Sequence, residues 1–232
     1  MFRRNAQKLS IALFIILLAL ALYVFASGIT RTRVNGPTAD QLLALLRSCN
    51  QVSNGLYRTD SDAAQTIPIC RLNGAIFWNA DLDIDCDGQV TNVCNSSTDT
   101  LFQPDTAAHT AAGQPLDASM VRYVVIPGES SIFRYSRSNI QLGAVVAVIY
   151  NGRVQYGVVG DTGPEDIIGE ASYAMAQSLG IDPNPAAGGV DGDVWYIVFQ
   201  GSSVSPIDDQ NQAVRAGEQL ANQLISTQGA SG

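Results

Sequence analysis

Between Tyr156 and Gly180 the chain reads YGVVGDTGPEDIIGEASYAMAQSLG, with four acids, Asp161, Glu165, Asp166 and Glu170, inside ten residues and no basic residue among them. Asp161 ends a β-like run, flanked by Gly160 and Gly163, where the backbone can bend and a large ligand can approach. Pro164 stops that run, and the spacing predicts a helix from about Gly169, with Glu170 in its first turn. The connection is short enough for the two carboxyl groups to converge on one cleft. Two facing carboxylates are what glycoside hydrolysis uses: one protonates the leaving oxygen, and the other activates water or attacks the sugar. The same residues also suit structural duties, since Glu in a first turn complements a helix dipole and Asp beside Gly caps turns.

A second acidic set stands in NADLDIDCDGQ: Asp81, Asp83, Asp85 and Asp87. From Asp83 the Asp-x-Asp-x-Asp-Gly order is that of the opening of a calcium loop, but the twelfth position is Cys94 rather than a bidentate Glu. If the segment is extended, all four acids share one face and Leu82 and Ile84 the other. The preferred reading is a negative strip that grips a cationic substrate. Trp78, just ahead of it, is a candidate for stacking on a sugar ring, or else a core residue.

Other chemistries find little support. There is no Gly-x-Ser-x-Gly elbow, no P-loop and no Cys-x-x-Cys, and the single histidine, His109, lies in the small-residue stretch DTAAHTAAG. Neither a zinc site nor a His-activated nucleophile is expected, and no cofactor is implied.

Several elements must position these acids. Thr38-Ala39-Asp40-Gln41 is a capping-box pattern that predicts a helix from Ala39 to Cys49. TIPICRL, GAIFWNA and VRYVVIP predict strands, as do the two arms of GAVVAVIYNGRVQYGVVGD around Asn151-Gly152, a strong hairpin signal. DVWYIVFQG predicts a strand buried on both faces, and DDQNQAVRAGEQLANQLIS a closing helix. The polar stretch from Asp81 to Gly113 reads as a long loop pinned by a disulfide. The sum predicts a single α+β domain, residues 38–228, built round a sheet or small β-barrel with a few flanking helices.

Arg3, Arg4 and Lys8 precede an apolar run from Ile11 to Ala26, the pattern of a secretory signal peptide over residues 1–26 or of an uncleaved membrane anchor; a polar linker, 27–37, follows. Either reading places the domain outside the cytoplasm. Without residues 1–26 the chain keeps ten basic residues, all arginine, against 21 acids, a net charge of about −11. Such a surface repels nucleic acid and anionic membranes and attracts cationic partners, though acidity also simply keeps proteins soluble. Four cysteines in an exported chain predict two disulfides, and closure of short loops favours Cys49–Cys70 with Cys86–Cys94.

Seven segments, GAIFWNADLDIDCDGQ, PLDAS, YVVIP, AVIY, YGVVGDTGP, IGEASYAMAQSLGI and YIVFQG, together resemble the chitosanases of glycoside hydrolase family 75, in that family's order, from about Cys70 to Gly201. The exported domain is expected to be a monomer. The resemblance implies a cofactor-free enzyme that cuts the β-1,4 links of chitosan internally by an inverting route. It also implies that Asp161 and Glu170 are the essential acids, and that Thr162 beside Asp161 binds substrate. The Asp-Thr-Gly turn leading into an Ile-Gly pair is similar to double-psi β-barrels. Chitosan carries protonated amines in mildly acidic water, which fits the aspartate strip. The alternatives are a non-catalytic carbohydrate-binding or calcium-stabilised module, and a hydrolase of another polysaccharide such as peptidoglycan.

Overall fold

The runs rich in β-branched and aromatic residues become strands. The computed structural model describes residues 36–229 and places in them β1 (Cys70–Leu72), β2 (Ala75–Asp85), β3 (Tyr123–Pro127), β4 (Val145–Tyr150), β5 (Arg153–Gly163), β6 (Glu170–Ser172) and β7 (Val190–Phe199). Strands β2, β6, β3, β5, β4 and β7 follow one another in the sheet, and β7 pairs back onto β2. Six strands therefore close into a barrel, which removes free edges, and β1 adds an antiparallel strip to β2. This is the α+β barrel that the sequence predicts.

Closure divides side chains by parity. Ile76, Trp78, Leu82, Val124, Val146, Val148, Val159, Ala171, Tyr196 and Val198, drawn from all six strands, fill the interior and are almost wholly buried. Phe77, Tyr123, Ala147, Val158, Ile197 and Phe199 point outward into a second apolar layer. The described helices are α1 (Ala39–Leu43), α2 (Tyr173–Leu179) and α3 (Gln210–Gly229); α1 and α3 contribute Leu42, Ala213, Ala221 and Leu224 to that outer layer. Burial on both faces explains why β7 lacks alternation in its second half. The hairpin between β4 and β5 turns on Asn151 and Gly152, both at positive φ, 45° and 75°.

Helix α1 has the expected capping box, Thr38 with Gln41, but stops at Leu43 rather than Cys49. The chain beyond is drawn out to pair with β1: Val52 donates to the Ile69 carbonyl, Arg71 donates to the Asn50 carbonyl, and Cys49 is bonded to Cys70. The second disulfide is Cys86–Cys94, so both expected pairings form. The predicted loop from Asp81 also starts later, because β2 continues to Asp85.

Residues 1–26 and most of the 27–37 linker lie outside the described residues. Among the described residues no helix is long and apolar enough to cross a membrane.

The Cys49–Cys70 bridge closes a loop with a sequence separation of 21. Replacing both cysteines by serine is expected to cost about 3 kcal/mol in urea unfolding, the chain-entropy value for such a loop. An unchanged midpoint would show that other contacts already restrain the reduced chain.

Candidate active site

Strand β2 carries the acids into the site. Its odd-numbered residues point out of the barrel, so Asp81, Asp83 and Asp85 share one face, as expected of an extended strip. Past Ala80 the β2–β7 register shifts in a bulge. After Leu82, which still pairs with Val190, β2 leaves β7 and takes β6 as a parallel partner, with Asp83 opposite Glu170 and Asp85 opposite Ser172. β3 joins β6 to β5, setting Val125 beside Asp161. Neighbouring strands thus bring Asp83, Asp85, Asp161 and Glu170 to one cleft of about 390 Å³, with Asp87 just past the end of β2.

The environment of Glu170 differs from its predicted one. It does not stand in a helix's first turn. Ser172 is the N-cap of α2, accepting from the Met175 amide, and Glu170 lies two residues before it in β6. The helix dipole therefore does not hold Glu170 ionised. Gly163 makes room for its carboxylate: a Cβ there would lie 3.1 Å from Glu170 Oε2.

Asp161 sits in a different setting. Its Oδ1 accepts from the amides of Ala107, at 2.8 Å, and Thr162, at 2.7 Å. The Ala107 donor arrives on the long loop, held where the Ala108 amide bonds the Gly160 carbonyl and Thr106 Oγ1 bridges Ala108 and Leu116. The same loop ties down Asp87, whose Oδ1 accepts from the Gln103 amide at 2.6 Å; Asp85 Oδ1 in turn accepts from the Asp87 amide at 2.6 Å.

Burial and crowding then set the protonation states. Burial, and after it the charges of Asp83, Asp87, Asp161 and Asp60, push Glu170 up to about 7. Burial raises Asp161 too, and its two backbone donors offset only part of that rise. Asp87 is pushed to about 6 and Asp81 to about 8, both mainly by burial, and buried Asp85 rises well above the usual carboxylate range.

Thr162 lines the cleft, as do Asp83, Asp85, Asp87, Asp161 and Glu170. Trp78 does not: it is 1% exposed and stacks on Tyr196 inside the barrel with ring centroids 5.2 Å apart. Its even-numbered position on β2 turns it inward with Ile76 and Ala80, so no sugar can stack on it. Asp81 lies off the cleft, with its Oδ1 unpartnered against Gly169, where a Cβ would collide with it. Sequence reasoning missed Asp99, Leu101 and the Pro185–Gly188 rim, all on loops brought in by the fold. Asp85, Asp87 and Asp161 each offer an oxygen within 4.8 Å of the others, a set able to hold a cation. Asp83 stays on its strand and does not curl with them into a calcium loop.

Residues 82–229 match the family model of the fungal chitosanases of glycosyl hydrolase group 75. The chain belongs to this family, and it is a glycoside hydrolase. It is 31% identical over 171 residues to Endo-chitosanase B of Aspergillus oryzae, covering 67% of this chain and 71% of that one. Against the Endo-chitosanase of Aspergillus fumigatus it is 30% identical over 181 residues, covering 68% and 73%. Against Endo-chitosanase C of Aspergillus oryzae it is 37% identical over 133 residues, covering 55% of this chain but 32% of the relative. A structural likeness to the Streptomyces papain inhibitor, at TM-score 0.34 and 23% identity over 57% of this chain and 99% of that one, is too loose to carry an argument.

The raised acids make stability depend on pH in a defined direction. A carboxyl group whose folded pKa exceeds its unfolded one stabilises the fold fully below the unfolded value, and that stability is lost as pH rises through the folded one. With Asp87, Glu170 and Asp81 at about 6, 7 and 8, the melting temperature should fall steadily between about pH 4 and pH 8. Asp81→Asn should flatten the upper part of that slope. A melting temperature that rises over this window would contradict these protonation states.

Proposed function

We propose that this protein hydrolyses β-1,4 glycosidic bonds within chitosan by an inverting mechanism, with Glu170 as general acid and Asp161 as general base. The observation that carries the assignment is the contrast between the two carboxyls. Glu170 is desolvated and surrounded by negative charge, so it keeps a proton to give to the leaving oxygen. Asp161 accepts two backbone N–H bonds, which favour its ionised form, so it can take a proton from an attacking water.

Spacing supports inversion. Glu170 Oε2 lies over Gly163, and Asp161 precedes Gly163 by two residues on the same strand, roughly 6–7 Å along it. That favours the ~6.5–9.5 Å gap that admits a water over the ~5–5.5 Å gap of a retaining pair. Charge supports the substrate. Six cleft residues are acids and none is basic, a field that draws in protonated amines and offers nothing to acetylated ones. The relatives' names, endo-chitosanases, point the same way.

Release of reducing ends from soluble chitosan, with none from peptidoglycan, is the primary test. Asp161→Asn and Glu170→Gln should each fold normally and lower turnover at least about a hundredfold. In the wild type, kcat/KM should be bell-shaped. It falls as pH rises through about 7, because Glu170 must hold its proton, and falls at acid pH, because Asp161 must be ionised. NMR should show the α anomer first; an initial β product would refute inversion.

One observation favours a second role for part of the cleft, the cation-sized set Asp85, Asp87 and Asp161. If it holds calcium, a chelator will lower the wild-type melting temperature and Asp85→Asn will melt early. If it holds substrate amines, Asp87→Asn will instead raise KM for chitosan, by less as salt increases.

A further inference from the structure

The acids of β2 do not stop at the cleft. On the same outward face, Phe77, Asn79 and Asp81 precede Asp83 and Asp85, and they line a second cavity of about 520 Å³. β7, the antiparallel neighbour of β2, lines it too, with half-buried Trp195 paired to Asn79 and exposed Asp191 in the bulged stretch beyond. One face of Trp195 is backed by Phe77, with ring centroids 6.3 Å apart, and the indole borders the cavity. The two cavities are consecutive reaches of one strand. From Asp85 back to Asn79 is roughly 20 Å of extended chain. They also share charges: Asp60 acts on Asp81, Asp83 and Glu170, and Asp191 acts on Asp83. Asp81, 5% exposed with an unpartnered buried Oδ1, stands at the junction. Arg47, on the rim, is the one basic side chain lining the second cavity among the described residues.

We infer that this second cavity is a remote binding site for the same polymer, continuous with the catalytic cleft. In it Trp195 is the platform for a glucosamine ring and Asp191 the partner of its ammonium group. The chemistry fits on two counts. An indole face attracts both the apolar face of a sugar and an adjacent cation, and an exposed carboxylate supplies a salt-sensitive charge partner. Binding energy gained away from the scissile bond can hold the chain in register across Glu170 and Asp161. The inference rests on the chitosan reading of the cleft, and its test separates the two.

Two kinds of measurement decide it. The first compares kcat/KM on long chitosan with that on the shortest oligomer cut. Asp191→Asn and Trp195→Leu should lower the value for the polymer about tenfold more than that for the short oligomer, and added salt should erase the Asp191 effect. An equal loss on both substrates would indicate a structural role and overturn the inference. The second measurement does not need turnover. The protein has two tryptophans, and Trp78 is sealed in the barrel. Titrating Glu170→Gln with glucosamine hexamer should therefore change the fluorescence of Trp195, and the change should vanish in Glu170→Gln/Trp195→Phe. No change in Glu170→Gln would overturn the inference even if Trp195→Leu proves unstable. If wild-type protein leaves chitosan intact, the proposed function fails, while the hexamer titration still decides the groove.

Discussion

Carboxylates repel one another, and in this protein they are gathered where water is scarce. The cleft gathers Asp83, Asp85, Asp161 and Glu170 from adjoining strands and Asp87 from just past β2, with no basic side chain in its lining among the described residues. The attraction that would normally offset such crowding is supplied mostly by backbone N–H groups: Ala107 and Thr162 on Asp161, Asp87 on Asp85, and Gln103 on Asp87. Each of these donors sits where it does because a closed barrel and a pinned loop hold the backbone still. A flexible scaffold would let the acids separate and solvate. The apolar interior and its outer layer therefore maintain an arrangement that is locally unfavourable and chemically useful.

Unequal distribution of those donors makes two similar carboxyls behave differently. Asp161 receives two N–H groups, and no hydrogen bond lowers Glu170, which lies in a notch left by Gly163. The loop from Cys86 to Leu116 is thus part of the electrostatics of the site although none of its own acids needs to react. Its Thr106 hydroxyl braces the segment that carries the Ala107 donor to Asp161, while its Gln103 amide ties down Asp87.

Much of this is legible in the sequence, and the limits are physical. Alternation of acid with Leu82 and Ile84 gives the extended face, and the hairpin and both disulfides follow from local rules. The same alternation assigns Trp78 to the inward parity, so its exclusion from the cleft is readable from its spacing to Leu82. Glu170 is harder to place, because Gly-Glu-Ala-Ser suits a helix start while the true cap is its serine, and pairing of Glu170 with Asp83 is a long-range strand contact. The Ala107 donor cannot be read at all. An alanine amide has no side-chain signature, and it meets Asp161 across 54 positions of chain.

A crowded acidic cleft also imposes a condition on any cationic substrate. In the proposed mechanism, an ammonium group beside Glu170 would stabilise its carboxylate and draw off the proton that the general acid must keep. Charge recognition and acid catalysis therefore compete unless the cations are held elsewhere in the same field. The geometry separates the two. Glu170 lies in a half-buried notch against Gly163, whereas exposed Asp83 stands across the strand pair and Asp191 lines the second cavity. After burial, Asp83 is the largest contributor to the raised pKa of Glu170, and amines attracted to it neutralise that contribution. Binding should thus lower the pKa of Glu170 towards the range in which a carboxylic acid donates readily, without placing a cation on it. On this argument the acids around Glu170 are a reserve of negative charge that the substrate itself discharges. A neutral glycan in the same cleft would leave Glu170 a weaker acid, so selectivity for a polycation would arise partly in the proton-transfer step and not only in binding.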